Sequence, residues 1–142
     1  MTSAIRIGSK FRSSKREFVR GTRGMVQLTD DMLREMVNTV IRAADPERVY
    51  LFGSHARGSA TVESDVDLLI VERGPFGADR SRRREMARLW RVLAAFRVPK
   101  DILVYSVDEV EHWKHARNHV VAQALNEGRL IYERPRIRRL SS

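Results

Sequence analysis

Apolar residues recur along the chain with two periods, one typical of amphipathic helices and one typical of short strands. A spacing of three or four positions predicts helices, and several predicted helix ends carry capping signals. Thr29 can cap the first helix, Ser106 and Glu109 form a capping box for the third, and Gly128 ends the fourth at its C′ position. The predicted helices cover residues 29–44, 79–97, a stretch that begins at 107, and a stretch from 116 to Gly128.

Short apolar runs between these helices predict strands. Because successive side chains on a strand alternate between its two faces, Val66, Leu68 and Ile70 are expected to point into the core. The order of elements predicts an α/β or α+β fold, with a small mixed sheet of three to four strands and helices packed on it. The predicted strands are residues 49–52, 65–72, 101–106 and, near the end, 129–133.

The formal net charge of +9 is distributed unevenly along the chain. Residues 1–24 hold seven basic residues and one acidic residue, and residues 134–142 hold four arginines and no acid. Residues 25–133 hold sixteen basic and seventeen acidic residues and are therefore nearly neutral. We predict one folded domain over residues 25–133, between a disordered basic extension and a basic tail. Basic ends of this kind can bind nucleic acid by counterion release.

The composition excludes several classes of site. The chain has no cysteine, so it has no disulfides, thiolate nucleophiles or thiolate zinc ligands. No apolar run approaches the roughly 18 to 20 residues that span a bilayer. The N-terminal residues lack the continuous apolar segment of a secretory signal, which favours a cytoplasmic protein without a membrane partner.

Two carboxylates, Asp65 and Asp67, stand at the start of the second predicted strand. Two positions apart on a strand, they share one face and lie roughly 7 Å from each other. At an effective dielectric near 20 they repel by roughly 2 to 3 kcal/mol, a cost that a divalent cation would remove. All-oxygen ligands favour magnesium or manganese. If the third strand lies beside the second, Asp101 joins the pair, and three carboxylates can hold two metal ions about 4 Å apart.

Gly53 and Ser54 form a complementary feature directly after the first predicted strand. A strand that breaks at glycine into a short helix exposes backbone N–H groups that can bind phosphate. Gly53 permits close approach, the Ser54 hydroxyl can donate a hydrogen bond, and Arg57 can give charge-assisted bonds. The stretch is not a Walker P-loop, because Ser59 and Ala60 stand where that loop has lysine and then serine or threonine.

The order Gly-Ser, ten residues and then Asp-x-Asp resembles the signature of the minimal nucleotidyltransferases of the DNA polymerase beta superfamily. The similarity extends to LFGSHARG before the carboxylates, to DILVYS where the family places a third carboxylate, and to ALNEGRLIYE near the end. It covers about residues 30–133, and both basic ends lie outside it.

The resemblance implies magnesium-dependent nucleotidyl transfer. Asp65, Asp67 and Asp101 would hold the metal, with two magnesium ions expected and manganese as the alternative. Asp101 would also orient or deprotonate the acceptor hydroxyl. The acceptor oxygen would attack the α-phosphorus of ATP in line and release pyrophosphate, with positioning and electrostatics supplying most of the catalysis. The nucleotide phosphates would bind Gly53, Ser54 and Arg57.

Several functions are compatible with this signature. Many small members of the family are antitoxins that transfer AMP to a tyrosine of a HEPN-domain RNase toxin, and this chain resembles that type in size. Transfer to a small molecule such as an aminoglycoside stays an alternative, although such relatives add a domain or dimerise to build the acceptor pocket. A non-catalytic nucleotide-binding module that neutralises a partner and a nucleic-acid binder acting through the basic ends are further alternatives. Homo-oligomers and hetero-oligomers both stay open.

Some of the other polar residues have simpler interpretations. Arg57 can pair with an acid such as Glu63 instead of a phosphate. His112, His115 and His119 have helical spacing, which would allow a metal site on one helix face, but a solvated or partner-facing surface is the stronger interpretation. The arginines of RSRRR start a predicted helix, where the helix dipole disfavours them, and this favours either an anionic partner or a solvated face.

Overall fold

Helices and strands alternate in the computed structural model much as the periodicity predicts, and the structure describes residues 27–61 and 63–136. The predicted extension over residues 1–24 and most of the tail lie outside this part, so those domain boundaries stay predictions. None of the described helices is long and apolar enough to cross a membrane. The elements are α1 Asp30–Ala44, β1 Arg48–Phe52, α2 Ser54–Arg57, β2 Val66–Glu72, α3 Arg82–Val92, β3 Lys100–Ser106, α4 Val107–Trp113, α5 Val120–Glu127 and β4 Arg129–Glu133.

The caps of α1 and α4 confirm two sequence predictions. The Thr29 hydroxyl accepts a hydrogen bond of 3.0 Å from the backbone N–H of Met32. At α4, the N–H of Glu109 donates to the Ser106 hydroxyl (3.1 Å), and the N–H of Ser106 donates to the Glu109 carboxylate (2.9 Å). These bonds satisfy N–H groups that the first turn of a helix leaves without partners.

Helix α3 is shorter than the predicted 79–97. It begins at Arg82, because Ser81 caps it by accepting a hydrogen bond of 3.2 Å from the N–H of Arg84. The preceding residues are held in a turn by two backbone hydrogen bonds between Gly77 and Arg80. Beyond the last turn of α3, N–H groups bond three positions back rather than four, so the apolar spacing persists where the α-helix has ended.

Helix α5 also begins later than predicted. The chain turns over residues 114–118, and the helix starts at Val120. His119 caps it, because its Nδ1 accepts a hydrogen bond of 3.1 Å from the N–H of Val121. Histidine is outside the usual set of cap residues, so this start had no signal in the sequence.

Gly128 ends α5 as the C-cap in an extended conformation, with φ −93°, rather than at C′. A Cβ at this position would lie 2.4 Å from the carbonyl oxygen of Ala124 and 2.7 Å from that of Leu51. The glycine is therefore required by close packing and not by a left-handed backbone. It seats the end of α5 against the end of β1, one residue before the Phe52–Gly53 junction.

The four strands form one mixed sheet in the order β3-β2-β1-β4, which confirms the predicted fold class. Strands β2 and β3 are parallel, and β1 is antiparallel to both β2 and β4. Val66, Leu68 and Ile70 are buried under α1 and α3, as predicted. The opposite face is also covered, because Leu69 and Val71 pack against residues of α4 and α5. The sheet therefore lies between two helical layers.

Candidate active site

Asp67 and Asp101 stand side by side on the two parallel strands. In the register of the sheet Asp67 is opposite Asp101 on β3 and opposite Phe52 on β1. Residues opposite one another point to the same face, so both carboxylates lie on the face that α4 and α5 cover further along. Asp65 is exposed and directly precedes β2. The third predicted strand, β3, therefore lies beside the second, β2, as the predicted convergence of Asp101 with Asp65 and Asp67 requires.

The carboxylates influence one another electrostatically. Burial raises the pKa of Asp67 to about 6, and the neighbouring charges of Asp101 and Asp65 act in the same direction, while Arg57 opposes them. Asp67 is half-buried, so its charge is poorly solvated where two like charges approach it. A cation at this place would counteract burial and both neighbouring charges, and it would therefore lower the pKa of Asp67.

The donor set fits a hard divalent cation that brings other ligands with it. Within residues 27–61 and 63–136, no three histidine, aspartate or glutamate side chains form a metal centre by themselves. Magnesium commonly binds through one or two carboxylates together with water and substrate phosphates, so the protein need not supply a complete cage. Asp65, Asp67 and Asp101 offer only oxygen ligands, which suit magnesium and manganese.

Gly53 brings the chain into direct contact with Asp67. Its φ of 77° and ψ of −157° fall in a region that is essentially restricted to glycine. A Cβ on Gly53 would lie 2.1 Å from Oδ2 of Asp67, so a side chain here would displace the carboxylate. The carbonyl oxygen of Gly53 accepts hydrogen bonds of 3.1 Å from the N–H groups of Ala56 and Arg57 and so starts α2. Ser54, the first residue of α2, is therefore held next to Asp67.

Arg57 lies at the end of α2 and is exposed. Its guanidinium pairs with Glu127 of α5 at 3.5 Å, and both side chains are about half exposed. An ion pair with that exposure contributes less than about 1 kcal/mol, so the guanidinium can leave it for a stronger anion. Glu127 is distant from α2 along the chain, so its pairing with Arg57 had no signal in the sequence.

His55 is a residue of this site that the sequence analysis missed. It is 3% exposed, and its Nε2 donates to the carbonyl oxygen of Ser64 at 3.3 Å. Burial lowers the pKa of His55, so the imidazole is neutral at pH 7. Ser64 is itself fixed, because its hydroxyl accepts a hydrogen bond of 2.9 Å from the N–H of Thr61. His55 therefore ties α2 to the residue before Asp65, and α2 is too short for its burial to show as a periodic pattern.

The three histidines with helical spacing do not share a helix. His112 is on α4, whereas His119 caps α5 and stacks on Trp113 with 4.2 Å between ring centroids. Because His112 lies on a helix, His115 in a turn and His119 at a helix cap, the single helix face on which a metal site was possible does not form. The stacked rings join α4 to α5 instead.

A sequence model of the family described as polymerase beta, nucleotidyltransferase matches residues 35–137, which is more than half of the chain. The comparison with curated proteins returned no match.

Several solved structures resemble the fold. One, described provisionally as a nucleotidyltransferase from Sulfolobus solfataricus, is 26% identical over 73% of this chain and 79% of its own, with a TM-score of 0.52. A toxin–antitoxin structure with AMP-PNP is 16% identical over 70% of this chain and 72% of its own, with a TM-score of 0.44. A mutant form of the toxin–antitoxin MntA-HpeT is 17% identical over 75% of this chain and 74% of its own, with a TM-score of 0.45.

Proposed function

Because the chain belongs to the polymerase beta nucleotidyltransferase family, we propose that it transfers AMP from ATP to a hydroxyl group of another protein. The observation that carries this proposal is the placement of Asp67 between Asp101 and Gly53. Carboxylates for a metal and a phosphate-binding turn meet there at one end of the sheet, and nucleotidyl transfer needs both groups together.

Asp65, Asp67 and Asp101 would hold magnesium, and when bound it would neutralise phosphate charge and polarise the phosphoryl group under attack. Gly53 keeps the chain close to Asp67, so the N–H groups and hydroxyl at the start of α2 can approach a triphosphate. Arg57 can exchange its weak pair with Glu127 for a phosphate oxygen.

Asp101 is suited to meet the acceptor. It is exposed, and it lies near the start of β3, the edge strand of the sheet. The acceptor hydroxyl would lose its proton towards the Asp101 carboxylate as its oxygen bonds to the α-phosphorus and pyrophosphate leaves. An edge position is accessible to a large acceptor, whereas a small acceptor is usually enclosed in a pocket. We therefore propose a tyrosine of a HEPN-domain toxin as the acceptor and an antitoxin role for this protein.

Label transfer tests this proposal. The protein is incubated with magnesium, a candidate HEPN-domain protein and ATP labelled at either the α or the γ phosphate. The α label is expected on the partner and the γ label in released pyrophosphate, with at least a hundredfold loss in Asp67→Asn and no loss in the remote control Asp79→Asn. Replacing the acceptor tyrosine with phenylalanine should abolish labelling. Binding of ATP and partner without any transfer would instead identify a non-catalytic module, and transfer to a small hydroxyl compound alone would reject the protein acceptor.

A further inference from the structure

The segment from residue 80 to residue 100 carries a concentration of positive charge that the transfer site does not use. It holds eight basic residues and one acidic residue. The rest of the predicted domain, residues 25–79 and 101–133, holds eight basic and sixteen acidic residues. The folded domain is therefore nearly neutral in total, but it has a strongly positive side centred on α3.

The arginines in α3 differ from one another in their surroundings. Arg82 points inward and forms two hydrogen bonds of 2.7 and 2.8 Å with the Glu109 carboxylate, and Arg88 pairs with Glu85 at 2.8 Å. Arg83, Arg84 and Arg91 are exposed, and no acidic residue of the described chain pairs with them. Arg83 and Arg91 are eight positions apart, which is about 12 Å along a helix. Three uncompensated guanidinium groups thus line one side of two helical turns.

An exposed aromatic ring lies among these charges. Trp90 is 44% exposed, which is high for so large an apolar side chain. The Lys100 ammonium lies 4.8 Å from the centroid of its ring. An exposed indole beside cations can accept a stacking base while the cations bind the adjacent phosphates.

We propose that Arg83, Arg84, Trp90, Arg91 and Lys100, the α3 basic face, bind single-stranded nucleic acid. The arginines would contact successive phosphates, and a base would stack on Trp90. An acidic protein surface is the less favoured occupant, because surfaces that bind nucleic acid are much more positively charged than surfaces that bind proteins. The exposed side of α3 has arginines without any acid, which matches the uniform charge of a polynucleotide.

The α3 basic face and the transfer site lie on opposite sides of the sheet. Helix α3 packs with α1 on one face. The carboxylates Asp67 and Asp101 lie on the opposite face of the sheet. Binding at the α3 basic face is therefore independent of nucleotidyl transfer and does not rest on the proposed function.

Fluorescence anisotropy with a labelled oligothymidylate of about 20 nucleotides tests the phosphate contacts. The variant R83A/R84A/R91A is compared with R42A/R73A/R117A, which removes the same charge from exposed arginines on other parts of the chain. Alanine preserves helix propensity, so α3 should stay folded, and circular dichroism checks this. We expect the first variant to raise the Kd at least tenfold and lower the salt slope by about 2, whereas the second should raise the Kd less than threefold.

Trp90 is tested with two further probes. Trp90→Ala should weaken binding of oligothymidylate about tenfold but leave binding of an abasic strand of the same length unchanged, since only the first offers bases for stacking. Trp113→Ala, which removes the other exposed indole, should leave both unchanged. The proposal is overturned if the wild-type protein binds oligothymidylate with a Kd no lower than about 100 µM at low salt. It is equally overturned if both triple variants lose the same amount of affinity for oligothymidylate. It is also overturned if poly-glutamate of the same length binds as tightly, which would assign the face to an acidic protein.

Discussion

At the scale of single residues, the candidate site depends on what the sequence places next to Asp67. The three aspartates were predictable because carboxylates at strand starts interrupt an apolar pattern. The role of Gly53 was predictable only in part. Its position in the turn that we propose for phosphate binding was predictable, but its contact with Asp67 was not. That contact comes from the pairing of β1 with β2, which brings together residues that are distant along the chain. His55 was missed because nothing in the residues around it along the chain predicts that its side chain is buried.

Gly53→Ala should disable the site, and Gly58→Ala provides the matched control. Both glycines have positive φ, 77° and 78°, so both substitutions strain the backbone. Only at Gly53 would the new Cβ collide with Asp67, because nothing lies within 4 Å of the position that a Cβ on Gly58 would take. We expect at least a hundredfold loss of nucleotidyl transfer for Gly53→Ala and less than a fivefold loss for Gly58→Ala. Similar losses in both variants would show that backbone strain alone governs the site.

The raised pKa of Asp67 predicts how the stability of the metal-free protein depends on pH. Folding raises this pKa from an ordinary 3.8 to about 6, so the folded state holds the proton more tightly than the unfolded state. The stability that this provides is complete below about pH 4 and is lost as the pH rises to about 6. The free energy of unfolding of Asp67→Asn, measured relative to wild type in the absence of metal, should therefore be about 1 to 2 kcal/mol higher at pH 7 than at pH 4. This range is smaller than the pKa shift alone would give, because Asp67 is only half-buried and solvent screens its charge.

Urea unfolding of both proteins in EDTA, at pH 4 and at pH 7, gives this difference directly. Asp79→Asn serves as an exposed control. A constant difference between Asp67→Asn and wild type across this range would show that Asp67 is not destabilised by its neighbours.

At the scale of elements, periodicity predicted which segments are helical or extended but not where several of them end. Apolar spacing continues through the turns after α3, so the predicted helix was too long at that end. Its start and that of α5 are set by local hydrogen bonds that the Ser81 hydroxyl and the His119 Nδ1 accept from backbone N–H groups. The sequence did not establish that β2 pairs with β3, because a connection through α3 does not determine the register of the two strands. The register of Asp67 with Asp101 follows from packing on both faces of the sheet.

Gly128→Ala should destabilise the junction of α5 with β1. The added Cβ would approach two carbonyl oxygens at 2.4 and 2.7 Å, and neither belongs to a flexible side chain. We expect a loss of about 2 to 3 kcal/mol in the free energy of unfolding. Gly77→Ala, where nothing lies within 4 Å of a Cβ, should cost less than about 0.5 kcal/mol. Chemical denaturation measures both, and equal losses would remove the packing explanation.

At the scale of the whole molecule, charge is segregated. A sum over residues 25–133 suggested electrical balance, but a sum discards position. The structure collects arginines on α3, whereas Asp67 and Asp101 lie on the other face of the sheet. A second group of charges lies inside the fold. Glu72, at the far end of β2 from Asp67, is 3% exposed and pairs with Arg80. Burial raises the pKa of Glu72, and the nearby Glu85 carboxylate adds to the rise.

Arg80→Ala should destabilise the fold, because it leaves Glu72 buried without its cation and removes a hydrogen bond of 2.8 Å to the carbonyl oxygen of Gly74. We expect a loss of about 2 to 3 kcal/mol at pH 8. The loss should be smaller at pH 5, since Glu72 can then take up a proton. Arg73→Ala, which breaks an exposed pair with Glu47, should cost less than about 1 kcal/mol. Thermal unfolding at both pH values measures this, and a loss for Arg80→Ala that does not change with pH would contradict it.

The central claim is that the aspartates and the Gly53–Ser54 turn form one site for a metal and a nucleotide, and calorimetric titration tests it without knowledge of the acceptor. The ligand is α,β-methylene-ATP, which cannot be cleaved between the α and β phosphates, in the presence of magnesium or of EDTA. Wild-type protein should bind one equivalent of the nucleotide when magnesium is present. Its affinity for the nucleotide should fall at least tenfold in EDTA, and the Asp67→Asn variant should show a fall of at least tenfold with magnesium present. Equal affinity with and without magnesium, or unchanged affinity in Asp67→Asn, would contradict the account.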